Sequence, residues 1–92
     1  MTLKETLVRD YNKILNTDSP LELSQSLEST YEVLLKNPYV YPSEEDRQKA
    51  IIKHISQISS YIHAKIENNI TNDIKIKFET TYGGLIYLLK HL

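Results

Sequence analysis

The sequence predicts an all-α protein: an antiparallel up-and-down bundle of four helices. Apolar side chains recur at spacings of three and four through four segments, which is the period of one helix face. Residues that start and stop helices, chiefly Ser, Thr, Asn and Pro, stand between these segments. The connections are short, which favours antiparallel neighbours. A chain of 92 residues builds one core, so residues 1–92 are expected to form a single domain.

A short turn separates the first two predicted helices. An apolar stripe predicts helix one over about residues 2–16, and Asn16-Thr17-Asp18 ends it because these side chains bond to nearby backbone. Helix two begins at Ser19-Pro20, with Ser19 as the cap and Glu22 bonding back as in a capping box. Asn37-Pro38 ends helix two. Its apolar stripe is Leu23, Leu27, Tyr31, Leu34 and Leu35.

Helix three is the longest predicted element, over about residues 44–67. Ser43 is its expected cap, and the acidic side chains that follow favour the positive end of the helix dipole. Isoleucine is common in strands, but the spacing of these isoleucines and the length of the run favour a helix. The inner stripe is Ile51, Ile55, Ile58, Ile62 and Ile66.

The last segment, residues 74–92, begins with apolar side chains at nearly every second position and continues at helical spacing. A lone strand would have no partner, because no other segment alternates, so we expect a helix capped by Thr71. Gly83 and Gly84 fall inside this helix, and each costs about 1 kcal/mol relative to alanine. We therefore expect helix four to bend or break at Gly83-Gly84.

Composition excludes several classes of protein. No cysteine is present, so a disulfide framework and a thiolate metal site or nucleophile are excluded. We expect no signal peptide, and no segment approaches the roughly 18 apolar residues of a membrane-spanning helix. A net charge of −1 argues against binding to nucleic acid. These features favour a cytoplasmic protein.

Charge is distributed unevenly along the chain. Residues 1–48 carry nine acidic and five basic groups, whereas residues 49–92 carry three acidic and six basic groups. One interpretation is that an acidic half packs beside a basic half within the bundle. The other is that the C-terminal half presents a positive face to an anionic partner or to membrane headgroups.

The sequence predicts no catalytic, cofactor or metal site. His54 and His63 lie nine residues apart, on opposite sides of helix three, so they cannot share a metal ion. His63 and Glu67, one turn apart, are expected to form a surface ion pair. Gly83-Gly84 lacks the context of a phosphate-binding loop, and the serines fall in mid-helix without a nucleophile turn.

The sequence contains seven tyrosines and no tryptophan. Tyr39 and Tyr41 lie in a loop bounded by prolines, and Tyr82 and Tyr87 lie beside the glycines, so we expect these four rings to be partly exposed. Tyrosines of this kind close the ends of small cores, and they are also favoured at protein interfaces. Both interpretations stay open.

The stretch "PSEEDRQKAIIKHISQISSYIHAKIENNITNDIKIKF" has a proline and acidic start, a long isoleucine-rich helix, a short turn and a threonine-capped last helix. In this layout it resembles the cytosolic immunity proteins that protect Gram-positive bacteria from their own pediocin-like bacteriocins. The stretch "SPLELSQSLESTYEVLLKN" agrees more weakly, as helix two. The resemblance is one of layout and covers somewhat under half of the chain.

The resemblance implies a non-enzymatic bundle without a cofactor, which acts inside the cell at the membrane surface. Members of this family are thought to act on the mannose-type sugar transporter that the bacteriocin uses as its receptor, and to block its lethal opening. The C-terminal half is thought to decide which bacteriocin is countered. Carried onto this sequence, the implied partner-binding residues are Lys75, Lys77, Tyr82, Gly83, Gly84, Tyr87, Lys90 and His91.

Another function is compatible with the same sequence. A non-catalytic helical adaptor, or an antitoxin-like regulator that binds a soluble protein, would also be a small bundle without a chemical site. An enzyme is disfavoured because no recognisable catalytic motif is present. Protection of a sensitive Gram-positive host against pediocin-like peptides would distinguish the first two functions.

Overall fold

Four helices form the bundle, each antiparallel to its neighbours along the chain. The computed structural model describes residues 2–36 and 41–90, and only the backbone of Leu89 and Lys90. Within these residues the chain is all-α, as predicted. Each helix packs on the next one, and the last packs on the first, so chain order is also the order around the bundle. The helices are α1 (Leu3–Asn16), α2 (Pro20–Lys36), α3 (Glu44–Ile66) and α4 (Asn72–Lys90).

Hydroxyl side chains cap the helix starts, as the sequence predicts. The Ser43 Oγ accepts from the Asp46 N–H at 3.1 Å, and the Thr71 Oγ1 accepts from the Ile74 N–H at 3.3 Å. These bonds satisfy N–H groups that have no partner inside the helix. The caps therefore fix where α3 and α4 begin.

The capping box predicted at Ser19 is wrong in one of its two bonds. The Ser19 Oγ does accept from the Glu22 N–H at 3.4 Å, but the Glu22 carboxylate accepts from the Thr17 hydroxyl instead of from the Ser19 backbone. The turn before α2 supplies this nearer donor. A complete capping box occurs at the start of α1, between Thr2 and Glu5.

The ends of α1 and α3 are closed by different means. In α3, Asn68 adopts a φ of 55°, and the Asn69 N–H donates to the Ala64 carbonyl at 2.8 Å, which makes a Schellman motif. The Lys65 Nζ of α3 donates to the Ile14 and Leu15 carbonyls at 2.6 and 2.7 Å. These bonds satisfy two carbonyls in the last turn of α1 that have no partner inside the helix. The predicted end of α2 at Asn37-Pro38 lies outside the described residues.

α4 is one continuous helix through Gly83 and Gly84, so the predicted break is wrong. The side chains on either side of the glycines, Tyr82 and Leu85, are 0% and 1% exposed. Burial of a large apolar side chain contributes about 1.5–3 kcal/mol. Two such anchors offset the low helix propensity of the glycines, about 1 kcal/mol each.

The core is centred on an aromatic cluster that joins three helices. Phe78 of α4 stacks on Tyr61 of α3, with ring centroids 4.0 Å apart and planes 4° from parallel. Tyr11 of α1 lies 5.4 Å from Phe78 and 5.3 Å from Tyr82. Aliphatic side chains surround this cluster: Leu7, Ile14, Leu23, Val33, Leu34, Ile51, Ile58, Ile62 and Leu85.

Several residues of the predicted inner stripes are exposed instead. Tyr31 and Leu35 of α2 are 43% and 46% exposed, and Ile66 of α3 is 52% exposed. The buried side of α2 is turned toward α1, so that Thr30 and Val33 are buried in their place. The apolar stripe of α2 is wider than the surface that the bundle covers.

Candidate functional site

A buried polar network links three helices beside the aromatic cluster. The Thr30 Oγ1 donates to the Asp10 Oδ2 at 3.3 Å and lies 2.7 Å from the Tyr82 hydroxyl. Asp10, Thr30 and Tyr82 are each exposed by 1% or less. Tyr82 was predicted to be a partly exposed partner-binding residue, and this is wrong. Its ring fills the core and its hydroxyl reaches Thr30, so no partner can contact it in the folded bundle.

The carboxyl group of Asp10 is unusual in this position. Burial raises its pKa, and hydrogen bonds from Ser29 and Thr30 and the charge of Arg9 act against the rise. The Arg9 guanidinium is 3.4 Å from the Asp10 Oδ1 and also donates to the Ser29 hydroxyl at 3.1 Å. These contacts give the buried Asp10 carboxyl hydrogen-bond partners between α1 and α2, so its role is structural.

Asp10 and Thr30 are not predicted from the sequence, because polar side chains usually lie on the surface. Their spacing does mark them. Asp10 lies three residues after Leu7 and four before Ile14, and both leucine and isoleucine are fully buried. A polar residue in register with an apolar stripe is therefore the signal that could have identified this network.

The exposed surface of α4 carries a strip without charged side chains. Ile76, Thr80, Gly83, Gly84 and Tyr87 follow one another at spacings of four, three, one and three, and all are exposed. We call these five residues the outer strip of α4. Ile76 and Tyr87 at its ends are 61% and 62% exposed and about 17 Å apart along the helix. The strip lies opposite the buried face made by Phe78, Tyr82 and Leu85.

The two glycines of the outer strip are not required by packing inside the bundle. Apart from the adjacent residues and the backbone of α4 itself, a Cβ atom added to Gly83 or Gly84 would meet no heavy atom within 4 Å among the described residues. Glycine in a helix interior is unfavourable, and its common uses are a special backbone conformation or a close approach of another molecule. Neither glycine has a positive φ. The flat surface that they leave faces outward.

Of the other predicted partner-binding residues, the structure describes the side chains of Lys75 and Lys77. Lys75 and Lys77 are exposed near the start of α4, and the Lys77 Nζ forms an ion pair with the Asp73 Oδ2 at 3.1 Å. Lys90 belongs to α4, but its side chain lies outside the described part of the chain, and so does the whole of His91. α4 therefore brings Lys75, Lys77, Gly83, Gly84 and Tyr87 onto its exposed surface and places Tyr82 in the core.

The histidines have the positions expected of structural residues. The His63 Nε2 lies 3.1 Å from the Glu67 Oε1 on the surface, as predicted. Burial lowers the pKa of His54, which favours its neutral form. Across the part of the chain that the structure describes, no three His, Asp or Glu side chains are close enough to hold a metal ion.

Neither a membrane-spanning helix in the described part of the chain nor a match to a known protein is found. Among residues 2–36 and 41–90, no helix has both the length and the apolar content needed to cross a membrane. No protein-family model, no curated protein and no solved structure matches the sequence or the fold. The resemblance to the pediocin-type immunity proteins therefore stays a prediction.

Proposed function

We propose that this protein is a bacteriocin immunity protein, which protects the cell that produces it without catalysing a reaction. In this proposal it binds the mannose-type sugar transporter occupied by a pediocin-like bacteriocin, through the outer strip of α4. The bundle, the capped fourth helix and the exposed surface of that helix support the proposal. It acts from the cytoplasmic side, in contact with the membrane surface.

The exposure of Ile76 and Tyr87 on one uncharged strip is the observation that carries the proposal. Aromatic and large aliphatic side chains are enriched in the central parts of protein interfaces, where charged side chains are depleted. A few such residues usually supply most of the binding energy. The same helix lies in the half of the chain to which the resemblance assigns recognition.

The glycines add a geometric reason for binding a helical partner at this strip. Without side chains, Gly83 and Gly84 let the backbone of another helix come close to that of α4, between Ile76 and Tyr87. In this proposal the helical partner is a segment of the transporter at the membrane surface. Lys77 and Glu79 are exposed on either side of the strip, so its borders carry charges of both signs.

Substitution of the strip provides the test. In a sensitive Gram-positive host challenged with a panel of pediocin-like peptides, we expect the wild-type chain to protect against at least one peptide. Ile76→Ser and Tyr87→Ala should each make the host more sensitive again, so that the peptide inhibits growth at a concentration lower by about tenfold or more. Each substitution truncates an exposed anchor. The measurement is the minimal inhibitory concentration of each peptide.

Leu21→Ser is the matched control, because Leu21 is 66% exposed at the start of α2 and lies outside the strip. It should leave protection unchanged. Absence of protection by the wild-type chain against every peptide would contradict the immunity function and favour a regulator of a soluble protein. Protection by the wild-type chain that Ile76→Ser and Tyr87→Ala leave intact would retain immunity but reject the outer strip as its binding surface.

A further inference from the structure

An open groove of about 600 Å³ lies on the surface between α2 and α3. Tyr31 and Leu35 form its α2 side, and Ile52 forms the α3 side with Ile51 and Ile55 beside it. Tyr31, Leu35 and Ile52 are 43%, 46% and 67% exposed. Large apolar side chains grouped in this way mark interaction surfaces more often than ordinary solvent-exposed surface. We call this surface the α2/α3 face.

The relative height of the two helices follows from two observations. The Arg47 guanidinium donates to the Leu35 carbonyl at 2.6 Å, and Tyr31 lines the same groove as Ile51 and Ile52, so residue 35 lies near the height of residue 47. Antiparallel helices that rise about 1.5 Å per residue then place residue 31 level with residue 51. Tyr31 of α2 is thus within one residue of the height of Ile52 of α3.

Opposite charges flank the α2/α3 face at matching heights. Glu32 lies three residues before Leu35 on α2, and Lys49 lies three residues before Ile52 on α3, so each borders the apolar side chains. The same register places Glu32 within one residue of the height of Lys49, and Glu28 within one residue of the height of Lys53. All four charged side chains are exposed. Lys36 follows Glu32 by one turn on α2, and Glu45 precedes Lys49 by one turn on α3, with its Oε1 3.0 Å from the Lys49 Nζ. The α2 edge therefore carries Glu28, Glu32 and Lys36, and the α3 edge carries Lys53, Lys49 and Glu45 at the matching heights.

We propose that the α2/α3 face binds a second copy of this chain, in a dimer whose two-fold axis runs parallel to the helices. This rotation puts α2 of one copy opposite α3 of the other and keeps every residue at its height. Tyr31 of each copy then meets Ile52 of the other, and Glu32 of each copy meets Lys49 of the other. The face is self-complementary in both apolar contact and charge, as an isologous interface requires.

The charges also select this axis over the alternative. A two-fold axis perpendicular to the helices within the face would put α2 against α2 and, at the height of residue 30, would set Glu28 against Glu32 of the other copy. The parallel axis instead sets each of the three charges on one edge against an opposite charge of the other copy. Like charges in contact across an interface are unfavourable. Because α2 and α3 neighbour each other in the ring and the outer strip of α4 faces elsewhere, the dimer leaves that strip accessible. The dimer does not depend on the proposed immunity function.

Sedimentation equilibrium of the whole chain tests the dimer. The wild-type mass should rise from 10.7 kDa toward twice that value as the concentration rises to about 1 mM. Glu32→Lys and Lys49→Glu should each weaken dimerisation about tenfold. The dimer contains two Glu32–Lys49 pairs, and each substitution makes both pairs like-charged. An equimolar mixture of the two variants should restore the wild-type association, because both pairs are then opposite in charge.

Lys4→Glu is the control, since Lys4 is exposed on α1 away from this face. It should leave the association unchanged. A wild-type chain that stays at 10.7 kDa up to about 1 mM overturns the proposal. So does a mixture of Glu32→Lys and Lys49→Glu chains that associates no better than either variant alone. A monomer that instead binds an added amphipathic helical peptide in the groove gives the face a different occupant and also overturns it.

Discussion

Replacement of Phe78 by alanine should lower the free energy of unfolding by about 3–5 kcal/mol, measured by urea denaturation monitored by circular dichroism. Phe78 is 0% exposed, and its ring touches the rings of Tyr11, Tyr61 and Tyr82. The substitution leaves a cavity where α1, α3 and α4 meet. A domain of this size has a total stability of only about 5–14 kcal/mol, so a large part of it would be lost.

Tyr87→Ala is the matched control for Phe78→Ala. It truncates an aromatic ring on the same helix, but the ring is 62% exposed. Its effect should stay below about 1 kcal/mol. If Phe78→Ala cost no more than Tyr87→Ala, the aromatic cluster would not be the centre of the core. The control also shows that the variant used to test protection is folded.

Replacement of Thr30 by valine should cost about 2–4 kcal/mol, although the two side chains have nearly the same shape. The substitution removes the hydroxyl that bonds both the Asp10 carboxyl and the Tyr82 hydroxyl, and it leaves two buried polar groups without that partner. The free energy of unfolding, measured at pH 7 by urea denaturation, checks this value.

The cost of Thr30→Val should depend on pH with a definite sign. Burial raises the pKa of Asp10 above its usual value of 3.8, so folding favours the protonated carboxyl. Stability linked to this group is present in full below pH 3.8 and is lost as the pH rises through the raised value. The Thr30 hydroxyl donates to the ionised carboxyl and limits this loss, so Thr30→Val should cost more at pH 7 than at pH 4.

Tyr82→Phe separates the two bonds of the network. It removes only the phenol hydroxyl and leaves the Thr30 hydroxyl bonded to Asp10, so its cost should be about 1 kcal/mol and should change little with pH. Equal costs for Thr30→Val and Tyr82→Phe at every pH would show that the carboxyl of Asp10 does not depend on Thr30.

Most of the fold could be predicted from the sequence, because periodicity and capping are local properties. The spacing of isoleucines gave the helical state of α3 against their strand propensity, and Ser43 and Thr71 marked two helix starts. The continuity of α4 through Gly83 and Gly84 could not be predicted in the same way. It depends on burial of the flanking side chains by α1 and α3, which is a tertiary effect.

Less of the candidate site could be predicted from the sequence. Tyr82 and Tyr87 lie beside the same glycines and looked equivalent, yet the first is 0% exposed and the second 62% exposed. The five-residue separation rotates the second ring by about 140° around the helix. Only the orientation of α4 against α1 and α3 decides which ring faces the core. Ile76 belongs to the alternating apolar pattern at the start of residues 74–92, and that pattern gives no indication that its side chain is exposed.

Photo-crosslinking from position 76 tests the proposed recognition most directly. A photoreactive residue placed at Ile76, in cells exposed to the peptide against which the chain protects, should crosslink to a subunit of the mannose-type transporter. The crosslink should appear only when the peptide is present, and the same residue placed at Leu21 should give none. A crosslink from position 76 to a soluble protein, or none to the transporter in cells that are nevertheless protected, would contradict recognition by the outer strip of α4.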